Sequence, residues 1–284
     1  GWGQAHFHQF KNNQYSFIDY KYDERKTDFI KQTKTLKAVT HKNWYAPYRE
    51  ETRYEIDGAI QCFGSTRWNI NNFFVAVIDK KTLEPWHAQE HGDYGHDNYE
   101  EPIFQQNYND YNFYFRNDIS EKIDSLISFI NDIPDSNYVL LYSYDANNCK
   151  TWLNSSATYE AMFNEIGANV DSLKNYPVNY PYILFFKKGD TSSVVESFSP
   201  DGSDYITLTA QMDNYWYNGT IESTLIGPSS KWGSFHWGMQ SREFVNQDTS
   251  KISIYGVDYN GNEQLFFDGL SGIGDLYNLG DSID

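Results

Sequence analysis

The stretch YVLLYSYD, residues 138–145, is a continuous apolar run that ends in a turn residue, and it decides the fold of the centre of the chain. Two further runs have the same character, NNFFVAVID at 71–79 and YPYILFFKKGD at 180–190. Apolar runs of this length, bounded by turn residues, are typical of strands that are buried on both faces of a sheet. The sequence therefore predicts three such strands.

Two helices are predicted between these strands. In NDISEKIDSLISFINDIP, residues 117–134, Asp118 is the expected N-cap of a capping box that opens a helix with one apolar face. In SATYEAMFNEIG, residues 156–167, the apolar spacing predicts a second helix that the final glycine stops. Strands that alternate with helices in this way predict a compact α+β domain over residues 52–200.

The two flanks of this domain have a different pattern. Residues 1–51 and 201–284 contain short, Thr-rich and aromatic-rich runs separated by Gly, Pro, Asn and Asp, which predict β-strands alone. We expect antiparallel β-sandwich segments there, either separate or as one sandwich that the central domain divides. The predicted fold class is thus α+β and mostly β, in three segments.

In the second flank, Asp258 to Glu263 has some calcium-ligand spacing, but Asn260-Gly261 favours a hairpin with a type I′ turn.

Composition limits the classes of partner. The chain has 284 residues and a formal charge of −17, so binding to nucleic acid or to an anionic membrane surface is disfavoured. No apolar run is long enough to predict membrane insertion. Aromatic residues make up 18% of the sequence, with 24 Tyr and 8 Trp, which suits sugar stacking or protein contact. The alternative is that these rings form cross-strand pairs within sheets.

One histidine-rich stretch is a candidate metal site. PWHAQEHGDYGHDNYEEP, residues 85–102, contains His87, His91 and His96. On a helix, the first two would share a face and would be able to ligate zinc, as in a metal-dependent hydrolase. The Gly and Pro residues of the stretch favour an exposed polar loop instead. We therefore expect no metal and no cofactor, with the three histidines as weak candidates.

The two cysteines give a weaker catalytic signal. Cys149 lies in DANNCKTW, which predicts a loop, and Cys62 lies in an apolar strand. A catalytic cysteine needs a neighbouring histidine in space, which the sequence does not show. Whether the two cysteines form a disulfide is left open by their spacing.

The central segment resembles the ILEI/PANDER domain, named after the interleukin-like EMT inducer. Three motifs carry the resemblance in order: FFVAVIDKKTLEP at 73–85, DISEKIDSLISFINDIPDSNYVLLYSYDA at 118–146 and MFNEIGANVDSLKNYPVNYPYILFFKKGD at 162–190. Members of this family are mostly non-enzymatic. One such domain forms the glycan-binding stem of an O-mannose GlcNAc-transferase. The resemblance therefore implies a carbohydrate-binding role.

The flanks show a second resemblance. WGQAHFHQFK at 2–11, with the segments at 223–241 and 253–269, resembles the region that follows a gingipain-type peptidase domain in Bacteroidetes surface proteins. Those proteins are linked to type IX secretion and gliding motility. The resemblance implies that the chain is part of a larger secreted or cell-surface protein, whose peptidase-like domain lies outside it.

The expected glycan site lies at the end of the strand YVLLYSYD. Asp145 matches the family's aspartate after the central strand, and Arg67 and Asn179 occupy places where the family has polar or basic side chains. Loops at strand ends commonly bind ligands, so Asn147 and Asn148 are expected to bridge sugar hydroxyls there. The rings expected to stack on the sugar are Tyr144 and Tyr182.

The sequence thus favours a non-catalytic extracellular binding module whose ligand is a glycan. The alternative is a protein–protein accessory module that contacts a surface protein, an adjoining domain of the parent chain or the secretion machinery. A metal-dependent hydrolase is a third and weaker interpretation.

Overall fold

The computed structural model describes residues 14–21, 26–42, 52–63, 71–90, 111–144, 147–199, 205–227, 232–238, 249–277 and 279. The chain forms two compact units, one of residues 14–222 and one that contains residues 223–284. The fold is mostly β, with several antiparallel sheets, as the sequence predicts. No helix in the described ranges is long and apolar enough to cross a membrane.

A five-stranded sheet forms the centre of the first unit. Its strands in chain order are β7 (Asn72–Ile78), β8 (Phe113–Arg116), β9 (Tyr138–Tyr144), β10 (Tyr182–Lys187) and β11 (Asp190–Phe198). Their order across the sheet is β11-β10-β9-β7-β8, and each neighbouring pair is antiparallel. The three predicted apolar strands are β7, β9 and β10, and they are buried along almost their whole length. That prediction is confirmed.

Helices cover one face of this sheet. They are α1 (Ser120–Asp132), α2 (Cys149–Ser155), α3 (Ala157–Ile166) and α4 (Val170–Asn175), and a short 3₁₀ helix spans Ala88–Glu90. Alternate residues of the sheet, such as Phe73 and Leu141, join the apolar sides of the helices in one buried cluster. The period of two along each strand thus sends half of its side chains to the helices.

A four-stranded sheet covers the other face. Its order is β12-β4-β5-β6, with β4 (Lys31–His41), β5 (Arg53–Ile56), β6 (Ala59–Phe63) and β12 (Tyr205–Tyr215). The remaining residues of the central strands pack with it in a second buried cluster, which includes Tyr142, Phe185 and Leu208. The first unit is therefore a sandwich of two sheets with helices on one outer face.

The predicted segments meet within this sandwich. Strand β4, from the first predicted segment, pairs along its whole length with β12, from the third. Strands β5 and β6, from the predicted central domain, complete the same sheet. The division into residues 1–51, 52–200 and 201–284 stays a prediction.

Short ribbons complete the described chain. In the first unit, β1 (Gln14–Ser16) pairs with β13 (Thr220–Glu222), and β2 (Ile18–Lys21) pairs with β3 (Lys26–Phe29). In the second unit, β14 (Ser234–Gly238) pairs with β17 (Ile273–Tyr277), and β15 (Ile252–Val257) pairs with β16 (Glu263–Leu270).

The turn between β15 and β16 confirms the predicted hairpin but not its type. The Asp258 carboxylate accepts backbone N–H bonds from Asn260 and Asn262, at 2.8 and 2.9 Å. Gly261 has a φ of 85°, whereas Asn260 is not in the left-handed region that a type I′ turn needs. The carboxylate is therefore used to build the loop.

The sequence identifies only some of the residues that cap the helices. The N-cap of α3 is Ser156, whose hydroxyl accepts the N–H of Tyr159. Its C-cap is Gly167 with a φ of 92°, which confirms the predicted glycine stop. The predicted capping box of α1 is wrong. Ile119 is its N-cap, and the Asp118 carboxylate instead pairs with the Arg116 guanidinium at 2.8 Å.

Candidate functional site

The turn that the sequence predicts to bind a glycan is hydrogen-bonded to a neighbouring loop through Asn147. Asn147 is fully buried, and its side-chain N–H groups donate to the carbonyls of Pro177 and Tyr180 at 2.9 and 2.7 Å. Its side-chain oxygen accepts the N–H of Cys149 at 2.9 Å. These three bonds occupy both ends of the amide, so Asn147 stabilises the turn and has no free group for a ligand in this structure.

Asn148 ties the same turn to the start of α1. It has a left-handed φ of 45°, a conformation that Asn tolerates better than most residues. Its side-chain N–H donates to the side-chain oxygen of Asn117 at 2.8 Å, and the indole N–H of Trp152 donates to the Asn117 carbonyl at 2.6 Å. Asn148 is half-buried, so part of it still faces solvent.

The two tyrosines expected to stack on a sugar lie apart. Tyr144 is buried between the two sheets, and Tyr182 is buried on the helix side. The Tyr182 hydroxyl donates to the Glu196 carboxylate at 2.6 Å, and burial, with that carboxylate, holds the pKa of Tyr182 well above its usual range. Neither ring presents a face to a sugar in this structure, because each is at most 1% exposed.

Of the other three residues predicted to contact the glycan, the structure describes one. Asn179 is exposed, and its loop meets the Asn147 turn through the bonds to Pro177 and Tyr180. Asp145 and Arg67 lie outside the described residues. The structure thus brings the loops of the predicted site together, while Tyr144 and Tyr182 are separated by the central sheet.

The histidine-rich stretch is described only at its start. His87 is half-buried, and its ring packs nearly perpendicular to the Tyr111 ring with centroids 5.5 Å apart. His91 and His96 lie outside the described residues. Within the described ranges no group of three metal-ligating side chains occurs.

Cys149 is a core residue. It is the first residue of α2, whereas the sequence predicted a loop, and it is 0% exposed. Its sulfur lies 3.7 Å from the Tyr159 hydroxyl. Burial raises the pKa of the Cys149 thiol to about 12, so the thiol stays neutral at physiological pH. A neutral, buried thiol is a poor nucleophile.

One pair of stacked rings on the first unit is partly exposed. Phe17 and Trp216 stack with centroids 3.9 Å apart and planes 27° apart, and Phe17 remains 44% exposed. Tyr215 and Tyr217, on either side of Trp216 in the chain, are 60% and 51% exposed. Residues Phe29 and Ile30 add further exposed apolar area nearby. We call the two stacked rings the Phe17–Trp216 pair.

Backbone contacts hold this pair in place. The N–H of Ile30 donates to the Phe17 carbonyl, and the N–H of Trp216 donates to the Ile30 carbonyl, both at 3.0 Å. Phe17 has a φ of 64°, which is strained for a residue with a side chain. At Gly219, a Cβ would lie 2.5 Å from Ile18 Cγ2, so only glycine lets the two chain segments approach this closely. The pair is therefore positioned at a cost in conformational energy.

A hydrogen-bonded chain of Ser, His and Asp lies on the second unit. Ser234 Oγ is 2.9 Å from His236 Nε2, and His236 Nδ1 is hydrogen-bonded to Asp275 Oδ1. Ser234 and His236 share one face of β14, and Asp275 is the cross-strand partner of His236. The connectivity is that of a serine hydrolase triad. However, the His236 and Asp275 side chains are 55% and 50% exposed, so water competes for every bond.

Sequence reasoning missed both the Phe17–Trp216 pair and the Ser234 chain. The run NYWYNGT at 214–220 places three consecutive aromatic residues before an Asn-Gly turn, and that density of rings was the available signal. Phe17 lies far from Trp216 in the sequence, and Asp275 lies far from His236. Each of these two contacts forms only through the pairing of strands.

Comparison with known proteins does not assign the chain to a family. No protein-family model matches the chain, and no curated protein matches it. The sequence motifs and the geometry of the described residues are therefore the grounds for a functional assignment.

Proposed function

We propose that the chain is a non-catalytic binding module whose ligand is a carbohydrate. The observation that carries this proposal is the Phe17–Trp216 pair, in which the exposed Phe17 ring stacks on the half-buried Trp216 ring. Aromatic rings with an apolar face and polar neighbours suit the C–H face of a pyranose ring. The strained φ of Phe17 supports a binding role, because backbone strain is concentrated at functional sites.

Two candidate nucleophiles among the described residues, Cys149 and Ser234, support binding rather than catalysis. The Cys149 thiol is buried, and burial keeps its pKa near 12. The hydrogen-bonded chain of Ser234, His236 and Asp275 lies on a two-stranded ribbon. Water contacts His236 and Asp275 there and weakens the hydrogen bonds that would activate the serine. A metal site at His87, His91 and His96 is the weaker alternative, and stoichiometric zinc in the purified protein would support it.

The proposed setting is the surface of a cell or the extracellular space. Its support is the resemblance of residues 55–195 to ILEI/PANDER domains, and of the flanks to the region after gingipain-type peptidase domains in proteins of type IX secretion and gliding. Detection of the full-length protein in the cytoplasm alone would contradict this setting.

A second candidate is a protein–protein accessory module. The second unit exposes large apolar side chains on its short ribbons and loops, with Leu225 79% and Ile273 85% exposed. Two-stranded ribbons are marginal alone, so an adjoining domain of the parent chain would stabilise them. Co-purification with that domain, lost in Ile273→Asp and retained in the control Thr209→Asp, would support this candidate. Equal recovery of both variants would contradict it.

A glycan-array screen tests the carbohydrate proposal. The wild type is compared with Phe17→Ala and Trp216→Ala, and with Tyr259→Ala as the control, because Tyr259 is a 98% exposed ring on the other unit. We expect glycan binding by the wild type and the control, with loss of signal in the two pair variants. Circular dichroism establishes that the variants are folded. Absence of any bound glycan would refute the proposed function.

A further inference from the structure

The dipeptide Asn-Gly occurs twice in the sequence, at Asn218-Gly219 and at Asn260-Gly261. The first lies just after Trp216 on the first unit, and the second lies in the turn between β15 and β16. All four residues of the two pairs are exposed. An asparagine is chemically vulnerable before glycine, because glycine has no side chain to shield its nitrogen from the asparagine amide. The two pairs differ in what the glycine N–H contacts.

In the turn between β15 and β16, a hydrogen bond holds the glycine nitrogen. The Gly261 N–H donates to the Asp258 carbonyl at 3.0 Å, and the Asn260 N–H donates to the Asp258 carboxylate at 2.8 Å. A hydrogen bond from the Asn262 side chain lowers the pKa of the Asp258 carboxyl, so this group is charged at neutral pH. Its negative charge opposes loss of the Gly261 proton, because that loss would create a second anion in the turn. The Asn260-Gly261 pair is therefore protected.

The Asn218-Gly219 pair lacks this protection. Within the described residues, no hydrogen bond engages the Gly219 N–H or the Asn218 side chain. The packing also requires the glycine, because a Cβ at Gly219 would lie 2.5 Å from Ile18 Cγ2 and 2.8 Å from the Ser16 carbonyl oxygen. A larger residue after Asn218 would disturb these contacts. The fold thus keeps an unshielded glycine nitrogen next to an exposed asparagine amide.

We propose that Asn218 is a site of spontaneous deamidation, with water as the only co-reactant. The Gly219 nitrogen loses its proton to water or hydroxide and attacks Asn218 Cγ. A bond forms between these two atoms, and the bond from Cγ to Nδ2 breaks as ammonia leaves with a proton from solvent, so a cyclic succinimide remains. Water then opens the ring. Opening at Cγ gives aspartate, and opening at the main-chain carbonyl carbon gives isoaspartate.

Both products would change the segment that carries Trp216. The Trp216 N–H is bonded to the Ile30 carbonyl, and Thr220 is the cross-strand partner of Ser16, so this short segment is fixed at both ends. Either product adds a carboxylate at position 218, and isoaspartate also adds a methylene group to the main chain between the fixed ends. The modification does not depend on the proposed carbohydrate function.

Peptide mapping by mass spectrometry tests the inference on the folded protein, incubated at neutral pH in water labelled with heavy oxygen. Conversion replaces the amide by a carboxyl group that contains an oxygen from the labelled water, and Asn260 in the same molecule is the internal control. We expect Asn218 to convert faster than Asn260 by about fivefold or more, because the hydrogen bonds to Asp258 must break before Gly261 can react. In denaturant, where these bonds are lost, the two sites should convert at similar rates.

Asn218→Gln is the matched variant for this reaction. It keeps the amide but moves it one methylene group farther from the Gly219 nitrogen, so the succinimide cannot form. Labelled product at position 218 should therefore disappear, while conversion of Asn260 stays as in the wild type. Equal rates at the two asparagines of the folded protein would overturn the inference. Conversion of Asn218 in denaturant alone would also overturn it, because the fold would then protect this site.

Discussion

Replacement of Asn147 by alanine is expected to cost stability. The side chain is 0% exposed and makes three hydrogen bonds to main-chain groups, to Pro177 and Tyr180 as donor and from Cys149 as acceptor. A net hydrogen bond contributes about 1 kcal/mol, so loss of three should lower the free energy of unfolding by about 3 kcal/mol. The Tyr180 carbonyl would lose the donor that Asn147 supplies, whereas the Pro177 carbonyl would keep the N–H of Tyr180 at 3.1 Å.

Urea denaturation followed by intrinsic fluorescence measures this change. Asn179→Ala is the matched control, because Asn179 is exposed on the loop that Asn147 holds, and its removal should change stability by less than about 0.5 kcal/mol. A loss below about 1 kcal/mol in Asn147→Ala would refute the structural role. If that variant were fully stable but lost glycan binding, Asn147 would be a ligand residue, as the sequence predicts.

Three further predictions concern Cys149, Phe17 and Ser234. Between about pH 9 and 12 the unfolded chain loses the Cys149 proton that the folded chain keeps, so the free energy of unfolding falls with rising pH. Cys149→Ala should make this fall less steep in denaturation experiments over that pH range. An unchanged pH dependence would contradict the burial of the thiol. Phe17→Gly should be more stable than Phe17→Ala by about 1 kcal/mol, because glycine has no Cβ penalty at a φ of 64°; equal stabilities would argue against the strain. A fluorophosphonate probe should label Ser234 no faster than Ser253, whose hydroxyl donates to Asp268 at 2.5 Å without a histidine; selective labelling of Ser234 would indicate a working triad.

Local signals were sufficient for part of the fold. Helix α3 was predictable because both of its ends are encoded within the helix segment, by Ser156 and Gly167. Helices α2 and α4 were missed. They have seven and six residues, too few for an apolar period to show, and their starts depend on Asn147 and Asn169.

The candidate site needed tertiary information. The sequence predicts a ligand site at the turn after β9, and in the structure Asn147 and Asn148 join that turn to neighbouring loops. Amide side chains suit both roles, and composition does not separate them. Phe17 and Trp216 become neighbours only through the backbone bonds that link both to Ile30. No local pattern records that contact.

The proposed binding site is tested most directly by calorimetry with one oligosaccharide that the glycan array identifies, which gives the dissociation constant for the wild type and for Trp216→Ala. Loss of one face of a stacked pair predicts affinity lower by about tenfold or more, which corresponds to about 1.4 kcal/mol. The Tyr259→Ala control should bind like the wild type. Equal dissociation constants for the wild type and a folded Trp216→Ala variant would contradict the claim that the Phe17–Trp216 pair is the binding site.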